Sequence, residues 1–211
     1  DVDYAEIYIM NSDGSSEQRL TFNTVQDDEA DLSPDGQWIA FDRGANNTES
    51  IWLMRSDGSE ARSVVNGRSP DWSPDGRYLA FETWGDSSHI WIYDVSRGAS
   101  RQLTSGSRPY RAPDWSPDGL EIVAMSRFGS DWQIVIVNVA TGAERPITSG
   151  SGDKRFPAWS PDGSLIAYNT LAGDWPDDIW LIEPSGAGAR AITSSGNNGR
   201  PTWSPDGQFL V

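Results

Sequence analysis

Arginine recurs at one spacing that could do chemistry: Arg68, Arg111 and Arg155 each stand four residues ahead of a tryptophan, at Trp72, Trp115 and Trp159. A guanidinium fork suits carboxylate groups, because its fixed N–H donors match two oxygens at once. Trp84, Trp132 and Trp175, with Phe128, fall in short stretches rich in Gly, Ser and Asp. Arg and aromatic side chains sharing a rim form the composition of an interaction hot spot. The competing reading pairs the arginines with Asp71, Asp114 or loop acids such as Asp86 and Asp131, which is worth about 0–1 kcal/mol per surface pair.

Other chemistries are thinly provided. The chain has no Cys, which removes disulfides, thiolate zinc sites and cysteine nucleophiles. Its one histidine, His89, excludes multi-histidine metal sites and reads as an exposed loop residue rather than a base. Asp27, Asp28, Glu29 and Asp31 form an acidic run without a recognisable cation loop, so a solvated face is expected there. No carboxylate is singled out as catalytic, and no metal or cofactor is expected.

Composition bounds the partners. Over 211 residues, Lys+Arg number 16 against Asp+Glu 31, a net charge of -15. Phosphate neutralisation needs clustered positive charge, so nucleic acid is excluded as a partner. No apolar run approaches the roughly 18 residues of a membrane helix, so no membrane insertion is expected. Gly 21 and Pro 13 punctuate the chain too often for long helices.

The elements that must position these residues come from a repeat. Ser-Pro-Asp-Gly begins at Ser33, Ser73, Ser116, Ser160 and Ser204. Around each copy four segments recur: one running into the turn (a, as in Ser69-Pro-Asp-Trp72), one leaving it (b, Tyr78-Leu-Ala-Phe81), then Ile90-Trp-Ile-Tyr93 (c) and a piece ending near Leu103-Thr104 (d). Each is short, β-branched or aromatic, and bounded by turn residues, so each reads as a strand. The turn has a mechanism: Pro pre-sets φ, Asp bonds its own backbone, and Gly takes the left-handed conformation. Its Asp is therefore a turn residue and not a catalytic one.

Four antiparallel strands every 40-odd residues mark the blades of a β-propeller. The order runs c, d, four complete a-b-c-d units, then a and b, so the ends are complementary halves of one blade. The expectation is an all-β, five-bladed β-propeller in a single domain, 1–211. Its blades would be 27–65, 66–104, 108–148 and 153–193, with a closing blade made of 198–211 plus 5–21. Val211 stops in mid-strand, which reads as a segment of something longer. Repeated positions place Trp38, Trp52, Trp72, Trp91, Trp115, Trp159, Trp180 and Trp203 between neighbouring blades. Trp84, Trp132 and Trp175 fall instead in b–c connections, either as local cover over a blade edge or as contact residues. In a meander those loops share a face with the beginnings of the a strands.

Five copies of Ser-Pro-Asp-Gly, four of them preceded by Trp and the first two followed by x3-Ala-Phe, with Ile-Trp-Leu-Met and a Leu-Thr strand, resemble the propeller repeats of the TolB family and those of prolyl-oligopeptidase-type enzymes. The resemblance covers nearly the whole chain and implies that the a strands are innermost. Arg68, Arg111 and Arg155 would then ring the mouth of the central channel. It implies a non-catalytic binding or scaffold module that holds a protein segment or peptide, in a periplasmic or extracellular setting. Two alternatives stand beside it: a glycan-binding or glycoside-active propeller using the rim Trp, and an accessory propeller of a larger hydrolase.

Overall fold

The computed structural model describes residues 4–171, 178–194 and 198–211. Its local organiser is the Ser-Pro-Asp-Gly turn. In the third copy Ser116 Oγ donates to Asp118 Oδ1 at 2.6 Å, and Asp118 Oδ1 accepts the Leu120 amide at 2.9 Å. The Glu121 amide donates back to Ser116 Oγ, and Gly119 N to Ser116 O, both at 2.9 Å. The side-chain bonds recur at Asp35, Asp75, Asp162 and Asp206, so the Asp is the turn residue its position implies. Hydroxyl and amide donors hold the carboxyls of Asp35, Asp118 and Asp206 below the usual range.

Each turn joins the two inner strands of an antiparallel, four-stranded meander. Blade 1 is β3 (Asp27–Leu32), β4 (Trp38–Arg43), β5 (Ser50–Arg55) and β6 (Arg62–Asn66). Blade 2 is β7 (Arg68–Trp72), β8 (Tyr78–Glu82), β9 (Ile90–Asp94) and β10 (Ala99–Gln102). Blade 3 is β11 (Tyr110–Trp115), β12 (Glu121–Phe128), β13 (Asp131–Asn138) and β14 (Glu144–Pro146). Blade 4 is β15 (Asp153–Trp159), β16 (Ile166–Leu171), β17 (Asp178–Ile182) and β18 (Arg190–Ala191). The described residues contain no helix.

The core lies between blades. Ala40 and Leu53 of blade 1 meet Trp72, Leu79 and Phe81 of blade 2, and Val123 and Ile136 of blade 3 meet Trp159 and Ile166 of blade 4. Trp72, Trp115 and Trp159 are buried, whereas Trp38, Trp52, Trp91, Trp180 and Trp203 are half-buried. Trp38 packs against the core between blades 1 and 2, and its ring is also covered by Arg55 and Arg62, 4.1 and 4.6 Å from its centroid, in cation–π contact.

Every a strand is kinked at the same place. The register shifts between Asp28 and Asp31, Arg68 and Asp71, Arg111 and Asp114, and Arg155 and Ala158. At these bulges Glu29, Ser69, Ala112 and Phe156 have φ of 49 to 52°, and Arg200 repeats the conformation near the C terminus at 52°. Left-handed non-Gly residues cost about 1 kcal/mol or more, so five in phase mark a conformation fixed by its surroundings. Pro70, Pro113, Pro157 and Pro201 follow four of them. Proline suits a bulge, where its missing N–H breaks no ladder bond, and it biases the preceding residue away from the α region.

The expectation of five full blades is corrected: four complete four-stranded blades are present. The N-terminal piece forms a separate two-stranded hairpin, β1 (Tyr8–Ile9) with β2 (Gln18–Arg19). Its Ile7 and Leu20 pack on Ile39, Phe41 and Met54 of blade 1. The C-terminal piece is a short hairpin held by the Trp203–Leu210 bridge and by the paired amides of Thr202 and Val211. Among the described residues no sheet hydrogen bond joins the two pieces, so they do not share a closing blade. The reason is the shortness of the pairing on each side: β1 and β2 share two residue pairs and the C-terminal hairpin one bridge, and so few ladder bonds do not offset the entropy of ordering both edges. Tyr8, Met10, Phe209 and Val211 stay exposed as a result. The C-terminal piece reaches blade 1 instead through an ion pair, Arg200 with Glu29, at the channel mouth.

Candidate functional site

Two tiers of acids line the inner strands. In the deeper tier Asp31 Oδ2 accepts the amide of Trp72 at 2.7 Å, Asp71 Oδ2 that of Trp115 at 2.6 Å, and Asp114 Oδ2 that of Trp159 at 2.7 Å. Each acid thus ties its blade to the next. They keep some accessible surface, yet protein atoms crowd them on every side. Burial pushes Asp31 up to about 6 and Asp114 up to about 7. Burial, together with the charges of Asp114 and Asp31, raises Asp71 well above the carboxylate range. The tier stops at Ala158 and Thr202, which lack a carboxyl.

The upper tier sits at the ends of the b strands. Asp42 Oδ2 accepts the bulge amide of Ser69 at 3.0 Å, and Glu82 Oε2 that of Ala112 at 2.5 Å. Burial raises Asp42 to about 7, with the charges of Glu29, Asp28 and Glu49 adding to it. Glu82 rises to about 7 for the same first reason, against the pull of Arg68.

Above this tier opens a cavity of about 360 Å³. Its walls are the β4–β5 loop (including Gly44, Asn46 and Glu49), the beginnings of β3, β7 and β11, and all five bulge residues. The b–c loop of blade 1 and the starts of the a strands therefore share one face, as the meander requires. Arg68 lines it with Nε 2.6 Å from Glu82 Oε1, and Arg200 lines it while paired with Glu29 and lying 4.5 Å over the Phe156 ring. Arg111 also lines it, but makes no ion pair among the described residues. Its guanidinium lies 5.1 Å from the Trp132 ring, and its Nε is buried without an acceptor.

The structure brings some of the expected site residues together and separates others. Asp153 joins two of them: its Oδ1 accepts the Trp132 amide at 2.8 Å, while its Oδ2 accepts Arg155 Nε at 3.1 Å. Arg111, Trp132 and Arg155 thus form one cluster, although Arg155 does not line the cavity. Phe128 stands apart under Arg108, whose guanidinium is 4.2 Å from the ring centroid and paired with Glu144. Trp84 is half-buried, with its indole N–H buried and unpartnered. Trp175 lies outside the described residues.

Three expectations are corrected. Asp71 and Asp114 do not pair with the arginines, because the inter-blade Trp amides already occupy them. The acidic run at Asp27 is not a solvated face: Asp27 is buried in a two-point pair with Arg43 (2.6 and 2.8 Å), and Asp31 joins the deeper tier. His89 is half-buried, its Nδ1 3.4 Å from Thr104 Oγ1, and burial lowers its pKa. Sequence reasoning missed Asp42, Glu82 and Glu49, whereas Arg200 stands one step along from the repeated arginine position. A polar residue directly after the apolar b segments, in phase at Asp42 and Glu82, was the available signal.

Comparison with known proteins decides the family. Residues 66–211 match the TolB beta propeller domain (PD40). The chain belongs to this family. A TolB structure from Agrobacterium tumefaciens superposes with a TM-score of 0.82 at 24% identity, covering 96% of this chain and 80% of that one. TolB from Acinetobacter baumannii gives 0.82 at 20% identity, covering 96% of this chain but 52% of the other. At that distance the likeness is one of fold. An uncharacterized protein of Agrobacterium fabrum (strain C58) is 37% identical over 67 residues, which is 32% of this chain and 23% of the relative. The chain spans a minor part of that relative's length. Among the described residues no cluster of three or more His, Asp or Glu could hold a metal ion, and no helix is long and apolar enough to cross a membrane.

Proposed function

We propose that this TolB-family propeller is a non-catalytic binding or scaffold module that holds a segment of a protein partner at its channel mouth. The observation that carries the reading is Arg111: a cation without an ion-pair partner among the described residues, stacked on Trp132, at the wall of a cavity of about 360 Å³. A guanidinium held over an indole loses little rotamer freedom on binding, and can take a carboxylate two-pronged. Arg68 and Arg155 flank it on the neighbouring blades, and Trp84 and Phe128, outside the cavity itself, extend the contact surface beyond Trp132. The reading includes an extracytoplasmic setting, periplasmic or extracellular, which membership of the TolB propeller family supports.

The test uses a fluorescently labelled, end-blocked Asp/Glu-rich peptide and its Lys/Arg counterpart, followed by anisotropy. The acidic peptide should bind and the basic one should not. The combined variant Arg68→Gln, Arg111→Gln, Arg155→Gln should abolish binding. Unchanged affinity in that variant would overturn the reading.

A further inference from the structure

The channel-mouth cavity is polarised. On the blade 1 side stand Asp42, which accepts the Ser69 amide, and Glu49, whose Oε2 is buried with no partner among the described residues. On the blade 3 side stands Arg111, whose Nε is also buried with no partner. Glu49 and Arg111 both line the cavity, and buried polar atoms are nearly always satisfied, so two side chains of opposite charge that each keep an unsatisfied atom suit a ligand that carries both charges. The other cations of the cavity are already committed, Arg68 to Glu82 and Arg200 to Glu29.

The floor between the two ends is open for a physical reason. Of the five bulge positions that ring the channel, Glu29, Phe156 and Arg200 carry large side chains, whereas Ser69 and Ala112 carry small ones. Those two small residues belong to blades 2 and 3, so the low part of the floor runs from Asp42 toward Arg111. Strand β7 lies between the strands that carry the two ends, so the charges of one amino acid, attached to a single carbon, do not bridge them. An extended chain advances about 3.3–3.6 Å per residue, which suits a peptide of two or three residues. A cavity of about 360 Å³ lies within the range of small-ligand sites.

We propose that this cavity is a receptor site for short peptides with free termini. The terminal ammonium is held by Asp42 and Glu49, the terminal carboxylate by Arg111, and the backbone lies over Ser69 and Ala112. This rests on the reading of the mouth as a binding site, and adds that the ligand is a compact zwitterion rather than an acidic stretch alone.

Isothermal titration of the full chain with trialanine, N-acetyl-trialanine, trialanine amide and alanine tests it. Trialanine should bind, and blocking either end should weaken binding about ten- to a hundredfold, the worth of one charge-assisted hydrogen bond. Arg111→Gln should erase the difference between trialanine and its amide, while Glu49→Gln should erase the difference between trialanine and its acetylated form. Both side chains are half-buried, and unchanged tryptophan fluorescence checks the fold of each variant. Equal binding of free and blocked peptides, or no heat with trialanine at about 10 mM, would overturn the proposal. If trialanine fails while the end-blocked acidic peptide binds through the arginines, only this inference falls. If both fail, the binding-module reading falls with it.

Discussion

Replacing Asp114 with Asn separates the two roles of the inner acids, as inter-blade ties and as buried charges. The Asn side chain keeps a carbonyl oxygen for the Trp159 amide, now accepted by the carboxylate at 2.7 Å, but can no longer ionise. In the folded chain Asp114 titrates at about 7, raised from 3.8 first by burial and then by the charge of Asp31. Between these values the unfolded state has released a proton that the native state still holds. Stability therefore falls as pH rises from about 4 through 7, and levels off where both states are ionised. At about 1.4 kcal/mol per pKa unit the fall has a ceiling near 4 kcal/mol for this one group. The Asn variant should be within about 1 kcal/mol of the wild type at pH 4.5 and exceed it by roughly 2–4 kcal/mol at pH 8. For a chain of this size that is a rise in Tm of about 5–15 °C. Thermal unfolding followed by tryptophan fluorescence at the two pH values reads it directly, since Trp72, Trp115 and Trp159 are packed between blades. A wild-type Tm that does not fall between pH 4.5 and 8, or an Asn variant equally destabilised at both, would refute the account of the acid tiers.

Other expectations follow from the same geometry. On the acid side the order reverses: the turn carboxyls of Asp35, Asp118 and Asp206 are held low, so the stability they supply is present above about pH 4 and lost as pH falls through their folded values. Asp118→Ala, which removes the bonds to Ser116 and Leu120, should cost about 1–2 kcal/mol by urea denaturation at pH 6. Gly67→Ala would put a Cβ 2.5 Å from Phe81 and 2.9 Å from the Glu82 carbonyl, and the shift this forces should destabilise by about 1–3 kcal/mol or more in the same assay. Ala112→Phe should fold, because Phe156 already occupies the equivalent left-handed bulge, but should fill the floor of the cavity and abolish trialanine binding in calorimetry.

The architecture was legible from residue 33 onward because its cause is local and repeated. Pro fixes φ, Asp bonds two residues along, and Gly accepts the left-handed turn, so each Ser-Pro-Asp-Gly specifies its hairpin without help from the rest of the chain. The a–b–c–d alternation and the buried Trp72, Trp115 and Trp159 follow from that phase. The count of blades was not legible. Complementary ends satisfy an arithmetic of strands, whereas pairing depends on whether Tyr8–Ile9 and Phe209–Val211 offer enough ladder bonds, a matter of free energy rather than of pattern.

The site divides in the same way. The sequence by itself determined that arginine recurs ahead of three inner-strand tryptophans and that extra aromatics lie near the b–c ends of the blades, although Phe128 ends the b strand β12 and Trp132 stands in the c strand β13 instead of in a loop. It did not determine which arginine is free. Arg68 and Arg155 are neutralised by Glu82 and Asp153, while Asp71 and Asp114, the acids expected to pair with them, are held by the next blade's amides. Only the tertiary structure decided this, because a guanidinium pairs with whatever carboxylate folding brings within about 4 Å, and the bulge at each inner strand turns the neighbouring side chains by an amount that no spacing in the chain records.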